Sequence, residues 1–253
     1  MSGESFGGPS MPDQHTTPRP AVVVGGASGI GAAVVAAQRA AGLEVVVWDV
    51  EGGPDVVCDI SDPAQVDAAI GSTLTAVGVP GLVTVTAGVG HSAMLAEATP
   101  DDWDRVMGVN AKGVWLAMRG LAAPMAGTGA GSIVVVSSVS ARIPDALMGL
   151  YCASKAALDM VVRTAAVEWA PGVRVNAVAP GVTDTPMLGP APRHRGWLAG
   201  VADRTALGRL GTAGDIAEAI LAVHSMGWVT GQVIDCDGGL SLHSPINPSG
   251  VAR

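Results

Sequence analysis

Four glycines crowd into the seven residues Gly25-Gly26-Ala27-Ser28-Gly29-Ile30-Gly31, directly after the apolar run at 20–25 and directly before the small apolar residues of 32–41. The first run reads as a short, fully buried strand and the second as a helix. Glycines between them permit positive φ, let the backbone approach a ligand closely and allow tight packing of helix on strand. The free N–H groups at the helix N-terminus then suit an anion such as a pyrophosphate. An opening of this kind commits the chain to an α/β fold.

The spacing Gly25-x-x-x-Gly29-x-Gly31 differs from the common G-x-G-x-x-G fingerprint, and no Gly-Lys-Ser/Thr follows to make a triphosphate loop. A turn without a ligand would account for these glycines taken alone. The next element adds a second signal, because 44–50 reads as another buried strand with Asp49 at its C-terminal end, 18 residues past Gly31. A carboxylate there can accept hydrogen bonds from both hydroxyls of an adenosine ribose and repels a 2′-phosphate. No arginine follows Asp49 within the next ten residues, so NAD is expected over NADP.

Tyr151 stands four residues before Lys155, with Ser138 thirteen residues upstream and Asn110 further back. Side chains four apart share a helix face, so the Lys155 ammonium can lie beside the Tyr151 phenol and stabilise its phenolate. A free tyrosine titrates near ~10, and an acid or base working near neutrality needs a fixed positive neighbour. The pair alone arises often by chance on solvated helices, and its meaning comes from the motifs around it. Tyr151 is also the sole tyrosine of the chain.

Together these residues resemble the classical short-chain dehydrogenases/reductases, over nearly the whole chain from about 20 to 240. The family's Thr-Gly-x-x-x-Gly-x-Gly motif maps onto 24–31, with Val24 in place of the threonine. Its Asn-Asn-Ala-Gly stretch resembles Val85-Thr86-Ala87-Gly88, with Thr86 in place of the second asparagine. Both exchanges remove polar groups that in the family tie the glycine loop to the neighbouring strand. Asn110, in Val-Asn-Ala-Lys-Gly, resembles the catalytic asparagine, Ser138 the serine, and Tyr151 and Lys155 the tyrosine and lysine. Pro180-Gly181-Val182-Thr183 resembles the segment whose threonine holds the nicotinamide carboxamide.

The resemblance implies hydride transfer between a carbinol and NAD. Tyr151 would exchange the hydroxyl proton and Ser138 would hydrogen-bond the substrate oxygen. Lys155 would lower the tyrosine pKa and hold the nicotinamide ribose, while Asn110 would bind a water linking Lys155 to solvent. Ser137 would point to the opposite face by strand alternation. The implied cofactor site comprises Gly25, Ser28, Gly29, Ile30, Gly31, Asp49, Asp59, Ile60, Ala87, Gly88, Tyr151, Lys155, Pro180, Gly181, Val182 and Thr183. A homotetramer is implied as well, built on Ala-rich helices near 100–125 and 150–170.

Alternating strands and helices along all 253 residues predict a single-domain Rossmann fold, a doubly wound parallel sheet of about seven strands with helices on both faces. Asp49, Ala87, Ser138 and Pro180 all fall at strand C-termini, where such sheets bind ligands. Helices are expected over 62–76, 100–125, 150–170 and 213–226, and strands over 81–86, 132–137, 173–179 and 232–236. Only about ten residues separate Asp49 from Asp59, fewer than a helical crossover usually takes. An extended return is therefore expected, with 56–58 as a short edge strand and Asp59 near the adenine. Residues 1–18 read as a flexible arm, and 19–253 as one dinucleotide-binding catalytic domain with a substrate lid near 185–211.

A net charge of −8 without any Lys/Arg cluster excludes a nucleic-acid backbone binder. Cys58, Cys152 and Cys236 lie too far apart for a metal motif, and their odd number suits a reducing compartment. With no signal peptide and no membrane-length apolar run, a cytoplasmic location is expected.

Substrate walls are expected from Val89, Gly90 and His91, from 140–148, and from the lid with Pro190, Pro192 and Trp197. His91 reads first as a solvated loop residue and only second as a substrate contact. Leu147, Met148 and the apolar lid favour a lipophilic or alicyclic alcohol or ketone, whereas Arg142, Arg193 and Arg195 could meet an anionic group. A 3-oxoacyl thioester reductase is the nearest rival, opposed by Asp49. A non-catalytic NAD-binding regulatory protein is the rival of another class, opposed by the intact Asn110, Ser138, Tyr151 and Lys155. A Ser-Lys hydrolase fails because Gly26-Ala27-Ser28-Gly29 lacks the final glycine of a nucleophile elbow.

Overall fold

The computed structural model describes residues 19–189 and 195–242; the arm expected over 1–18 lies outside them, as do Pro190, Pro192 and Arg193. In chain order the strands are β1 (Ala21–Val24), β2 (Val45–Asp49), β3 (Val56–Val57), β4 (Leu82–Val85), β5 (Gly131–Val136), β6 (Val173–Pro180), β7 (Thr183–Asp184), β8 (Gly211–Thr212) and β9 (Val233–Cys236). The helices are α1 (Gly29–Ala40), α2 (Pro63–Val77), α3 (Pro100–Met107), α4 (Val114–Ala126), α5 (Gly149–Glu168), α6 (Arg195–Arg204) and α7 (Ala213–Ser225). Seven strands form one parallel sheet in the order β3-β2-β1-β4-β5-β6-β9, while β7 pairs with β8 apart from it. This is the doubly wound Rossmann arrangement that the sequence predicts.

Parallel strands covered on both faces need apolar residues at every position, and the valine runs of β1, β2 and β5 supply them. Val22, Val24, Val46 and Trp48 face a layer completed by α2, α4 and α5. Ala21, Val23, Val45 and Val47 face the other way, against α1 and α7. Each fully buried valine stabilises the fold by about 1.5–3 kcal/mol relative to exposure.

The short return after β2 contains no helix, and β3 pairs with β2 only at Trp48 and Asp49. The strand edge that β3 leaves uncovered is satisfied by side chains. Asp55 accepts from the Val47 N–H at 2.8 Å, and Arg39 donates to the Val45 carbonyl at 3.2 Å. These contacts let a few residues do what a crossover helix does elsewhere.

The helix expected over 100–125 is interrupted. Between α3 and α4 the six residues Gly108–Gly113 form a π-turn, which widens the helix and aims Asn110 inward, with none of that side chain exposed. Gly113 is required there, because a Cβ would come within 2.8 Å of both Ile60 Cγ1 and the Ile60 carbonyl.

Candidate active site

The strand order reverses between β1 and β4, which opens a crevice beyond their C-terminal ends. The glycine turn lines it. Gly25 has φ +83°, and a Cβ on it would sit 2.5 Å from the Ala87 nitrogen. Gly31 lets α1 press onto the turn, since a Cβ there would meet the Gly25 carbonyl at 2.0 Å. Ser28 is the N-cap of α1, yet its hydroxyl makes no capping bond and is exposed beside the free helix N–H groups.

Asp49 ends β2 on the same rim and accepts from the Ala27 N–H at 2.9 Å and the Val50 N–H at 2.8 Å. Each oxygen keeps a lone pair for a further donor. Turn, helix N-terminus and carboxylate thus fit a dinucleotide: close backbone approach for the diphosphate, and an acceptor for ribose hydroxyls. Asp59 lies past the end of β3, where it accepts from the Ser61 N–H and hydroxyl. Ile60 is buried, its side chain and carbonyl both packed against Gly113 of the π-turn.

The second half of the crevice lies where β5 meets α5. Ser138 neighbours Tyr151, and Lys155 Nζ donates to the Val136 carbonyl at 2.9 Å, 5.7 Å from the Tyr151 ring centroid. Gly88 adjoins both Asn110 and Lys155, with its Cβ direction 3.2 Å from Asn110 Oδ1 and 3.6 Å from Lys155 Nζ. The structure therefore brings Asn110, Ser138, Tyr151, Lys155 and Gly88 together, and carries the glycine turn and Asp49 on the same sheet edge.

The electrostatics differ from the sequence expectation. Burial raises the Tyr151 phenol above its ordinary value, opposed by the neighbouring Ser138 hydroxyl. Burial also pushes the Lys155 ammonium down to about 8, opposed by the charge of Asp159. Desolvation thus governs the phenol in the ligand-free chain, where the Lys155 ammonium is held on the Val136 carbonyl. The Asn110 amide is engaged by protein groups. Its Oδ1 accepts from the Val89 N–H, and its Nδ2 donates to the Val89 carbonyl and to Ser154 Oγ, so both amide hydrogens are occupied by protein.

The segment after β6 roofs the crevice. Thr183 turns its hydroxyl onto the Gly181 carbonyl at 3.1 Å, and the Val182 carbonyl accepts from the Gly211 N–H as β7 pairs with β8. Gly181 packs on Asp237, and Pro180 closes β6. Thr185, missed in the sequence, lies over the glycine turn instead, its Cβ 3.5 Å from the Cβ direction of Gly29. Two residues later the Met187 methyl approaches the Cβ direction of Gly88 at 3.8 Å. The Thr185-Pro186 step two residues after Thr183 was the available signal.

Arg142 is not poised for an anion, because it pairs with Asp159 and Asp235. Arg193 and the side chain of Arg195 lie outside what is described. His91 is not solvated: its side chain is 7% exposed and its Nε2 lies 3.5 Å from Asp102 Oδ1.

A family model described as enoyl-(acyl carrier protein) reductase matches residues 25–241. The chain belongs to the short-chain dehydrogenases/reductases. The cis-4-hydroxycyclohexanecarboxylate dehydrogenase of Sinomonas cyclohexanicum is 35% identical over 240 residues, covering 87% of this chain and 96% of that protein. The 3-alpha-(or 20-beta)-hydroxysteroid dehydrogenase of Mycobacterium tuberculosis is 32% identical, covering 87% and 88%. The ligand-free aldohexose dehydrogenase of Thermoplasma acidophilum superposes with a TM-score of 0.85 at 27% identity, covering 91% and 97%. This short-chain dehydrogenase/reductase is a nicotinamide-dependent oxidoreductase acting on CH–OH groups.

Within that family the exchange at Thr86 proves constructive. Its hydroxyl donates to the Val24 and Gly25 carbonyls at 3.1 and 2.8 Å, so the tie between glycine loop and β4 is kept by a different side chain. Sequence comparison with the motif alone had implied that the tie was lost.

Proposed function

We propose that this dehydrogenase interconverts a secondary alcohol and a ketone with NAD, using Tyr151 as acid or base, Ser138 to hold the substrate oxygen and Lys155 to support both. The observation that carries the reading is the buried Lys155 ammonium, held on the Val136 carbonyl 5.7 Å from the Tyr151 ring centroid with Ser138 beside the phenol, on the rim that also holds Asp49. Bound nicotinamide supplies the hydride acceptor in its oxidised form and the donor in its reduced form. Gly25, Ser28, Gly29, Ile30 and Gly31 would hold its diphosphate, with Thr185 above them. Asp49 would take the adenosine ribose, with Asp59 and the backbone at Ile60 beside the adenine. Ala87, Gly88, Pro180, Gly181, Val182 and Thr183 would wall the nicotinamide side.

In oxidation Tyr151 Oη takes the hydroxyl proton, and in reduction it gives one. The raised phenol in the ligand-free chain is protonated at neutral pH, which suits the reductive direction. Oxidation by this residue therefore strengthens as pH rises. Asn110 acts through position, since its amide is fully engaged in holding Val89 against the π-turn. A water chain from Lys155 would then run past the backbone of that turn.

NAD is favoured over NADP because 50–59 contains Glu51, Asp55 and Asp59 and no cation to meet a 2′-phosphate. The exposed Met94, Leu95, Leu147, Met187 and Trp197 favour an alicyclic or lipophilic substrate. Ring secondary alcohols named for the two dehydrogenases above point the same way. The family model's description favours a second reading, a reductase of acyl thioesters, which Asp49 opposes.

We also place the chain in the cytoplasm as a single catalytic domain with a lid near 185–211. A homotetramer is proposed from the helices α3–α4 and α5, whose faces leave Trp103, Trp115, Met160 and Val167 exposed. No helix among the described residues is long and apolar enough to cross a membrane. Screening cyclic secondary alcohols with NAD and with NADP, followed by cofactor absorbance, tests the reading. Reduction of NAD by none of them, with thioester reduction by NADPH, would replace it with the second.

A further inference from the structure

Three consecutive residues, the last of β5 and the two that follow it, each meet one residue of α5. Ser138 neighbours Tyr151, the Val136 carbonyl holds Lys155 Nζ, and Ser137 Oγ donates to Asp159 Oδ1. Residues 151, 155 and 159 are spaced by four and form one stripe along the helix. The proposed reaction uses the first two pairs and leaves the third without a task.

Asp159 is only 3% exposed. Its Oδ2 lies 3.6 Å from Arg142 Nη1, while Arg142 Nη2 is bonded to Asp235 on β9. A carboxylate is rarely buried so deeply, and an apolar residue would fill the same space without desolvating a charge. Its position one turn beyond a buried lysine gives the charge a use.

We propose that Asp159 is a positioning residue for the reaction: gripped by Ser137 and Arg142, its negative charge keeps Lys155 protonated and its hydrogen bond fixes the register of α5 against β5. The inference rests on the role given to Lys155 above. Groups facing Asp159 are Ser137 from β5, Arg142 from the turn that follows, and Lys155 and Arg163 from its own helix, with Asp235 beyond Arg142. Burial raises the Asp159 carboxyl, and the Ser137 bond, Arg142, Arg163 and Lys155 all act against that rise. The same interaction is what opposes the fall of Lys155.

Asp159→Asn keeps the shape and an acceptor for Ser137 while removing the charge. Nitrogen-detected NMR of the Lys155 amine, assigned with Lys155→Met, should show its pKa falling by about one unit in this variant. The alkaline limb of kcat should move to lower pH with it, and Asp159→Glu should restore both, while KM for the alcohol changes less than about twofold. An unmoved Lys155 titration in folded Asp159→Asn overturns the proposal. On the unmodified protein, the Asp159 carboxyl carbon should report the Lys155 titration as a second step at the same pH, and absence of that step overturns the proposal even where the variant does not fold. Both titrations are read without turnover, so a coupled pair in a protein inactive on every alcohol sustains the positioning role and counts against the functional reading alone.

Discussion

Asn110 holds Val89 through both halves of its carboxamide, accepting from the N–H at 2.8 Å and donating to the carbonyl at 3.0 Å. The contact has the form of a short β-bridge made by a side chain. It fixes the loop after β4, which begins the expected substrate wall, onto the π-turn between α3 and α4.

Asn110→Ala leaves the Val89 N–H and carbonyl without these partners. Urea denaturation should show a loss of roughly 2–4 kcal/mol, with turnover falling alongside. A variant as stable as the parent would mean that the loop finds other partners.

Asp49→Ala should raise KM for NAD about tenfold and narrow the preference over NADP, because the carboxylate no longer meets ribose hydroxyls or repels a phosphate. Paired NADH and NADPH kinetics check it. An unchanged ratio removes Asp49 from cofactor choice.

His224 lies in the core between Thr84 Oγ1 and Ser132 Oγ, each 3.0 Å from a ring nitrogen. Burial, reinforced by Arg174, pushes its pKa from 6.5 down to about 3. Between those values the unfolded chain binds the proton and the folded chain does not, so stability is lost as pH falls through that window. From pH 7 to about pH 4.5 the loss from this residue should be roughly 2–3 kcal/mol. His224→Asn should flatten that slope in urea melts; an equal slope would assign acid sensitivity elsewhere.

Gln38 is 1% exposed within α1, and neither its Oε1 nor its Nε2 has a partner. Gln38→Met keeps the volume and removes the unsatisfied amide. Stability should rise by about 1–2 kcal/mol in thermal melts; a loss would reveal a buried water serving the amide.

Much of this was legible in the sequence, for physical reasons that differ by element. The valine strands and glycine turn could be read because parallel strands buried on both faces admit little but Val, Ile and Ala. The edge strand β3 was legible from chain length alone. The π-turn was not, because Gly108 and Gly113 bound it without breaking the helical run, and one extra residue per turn leaves no periodic trace. Thr183 could be placed from its Pro-Gly segment, but the direction of its hydroxyl could not, because β7 pairs with β8 and that pairing joins residues far apart. Ser137 was expected on the face opposite Ser138, yet its hydroxyl reaches Asp159 on α5, the helix that also carries Tyr151, and Asp159 had no motif to mark it.

Tyr151 is the group on which the whole account turns, and Tyr151→Phe tests it with the least change in packing. With a cyclic secondary alcohol that the parent oxidises, the variant should lose NADH production by at least about a thousandfold while NAD still binds in a fluorescence titration within about threefold of the parent affinity. Turnover within about tenfold of the parent, at unchanged NAD affinity, would contradict proton transfer by this phenol.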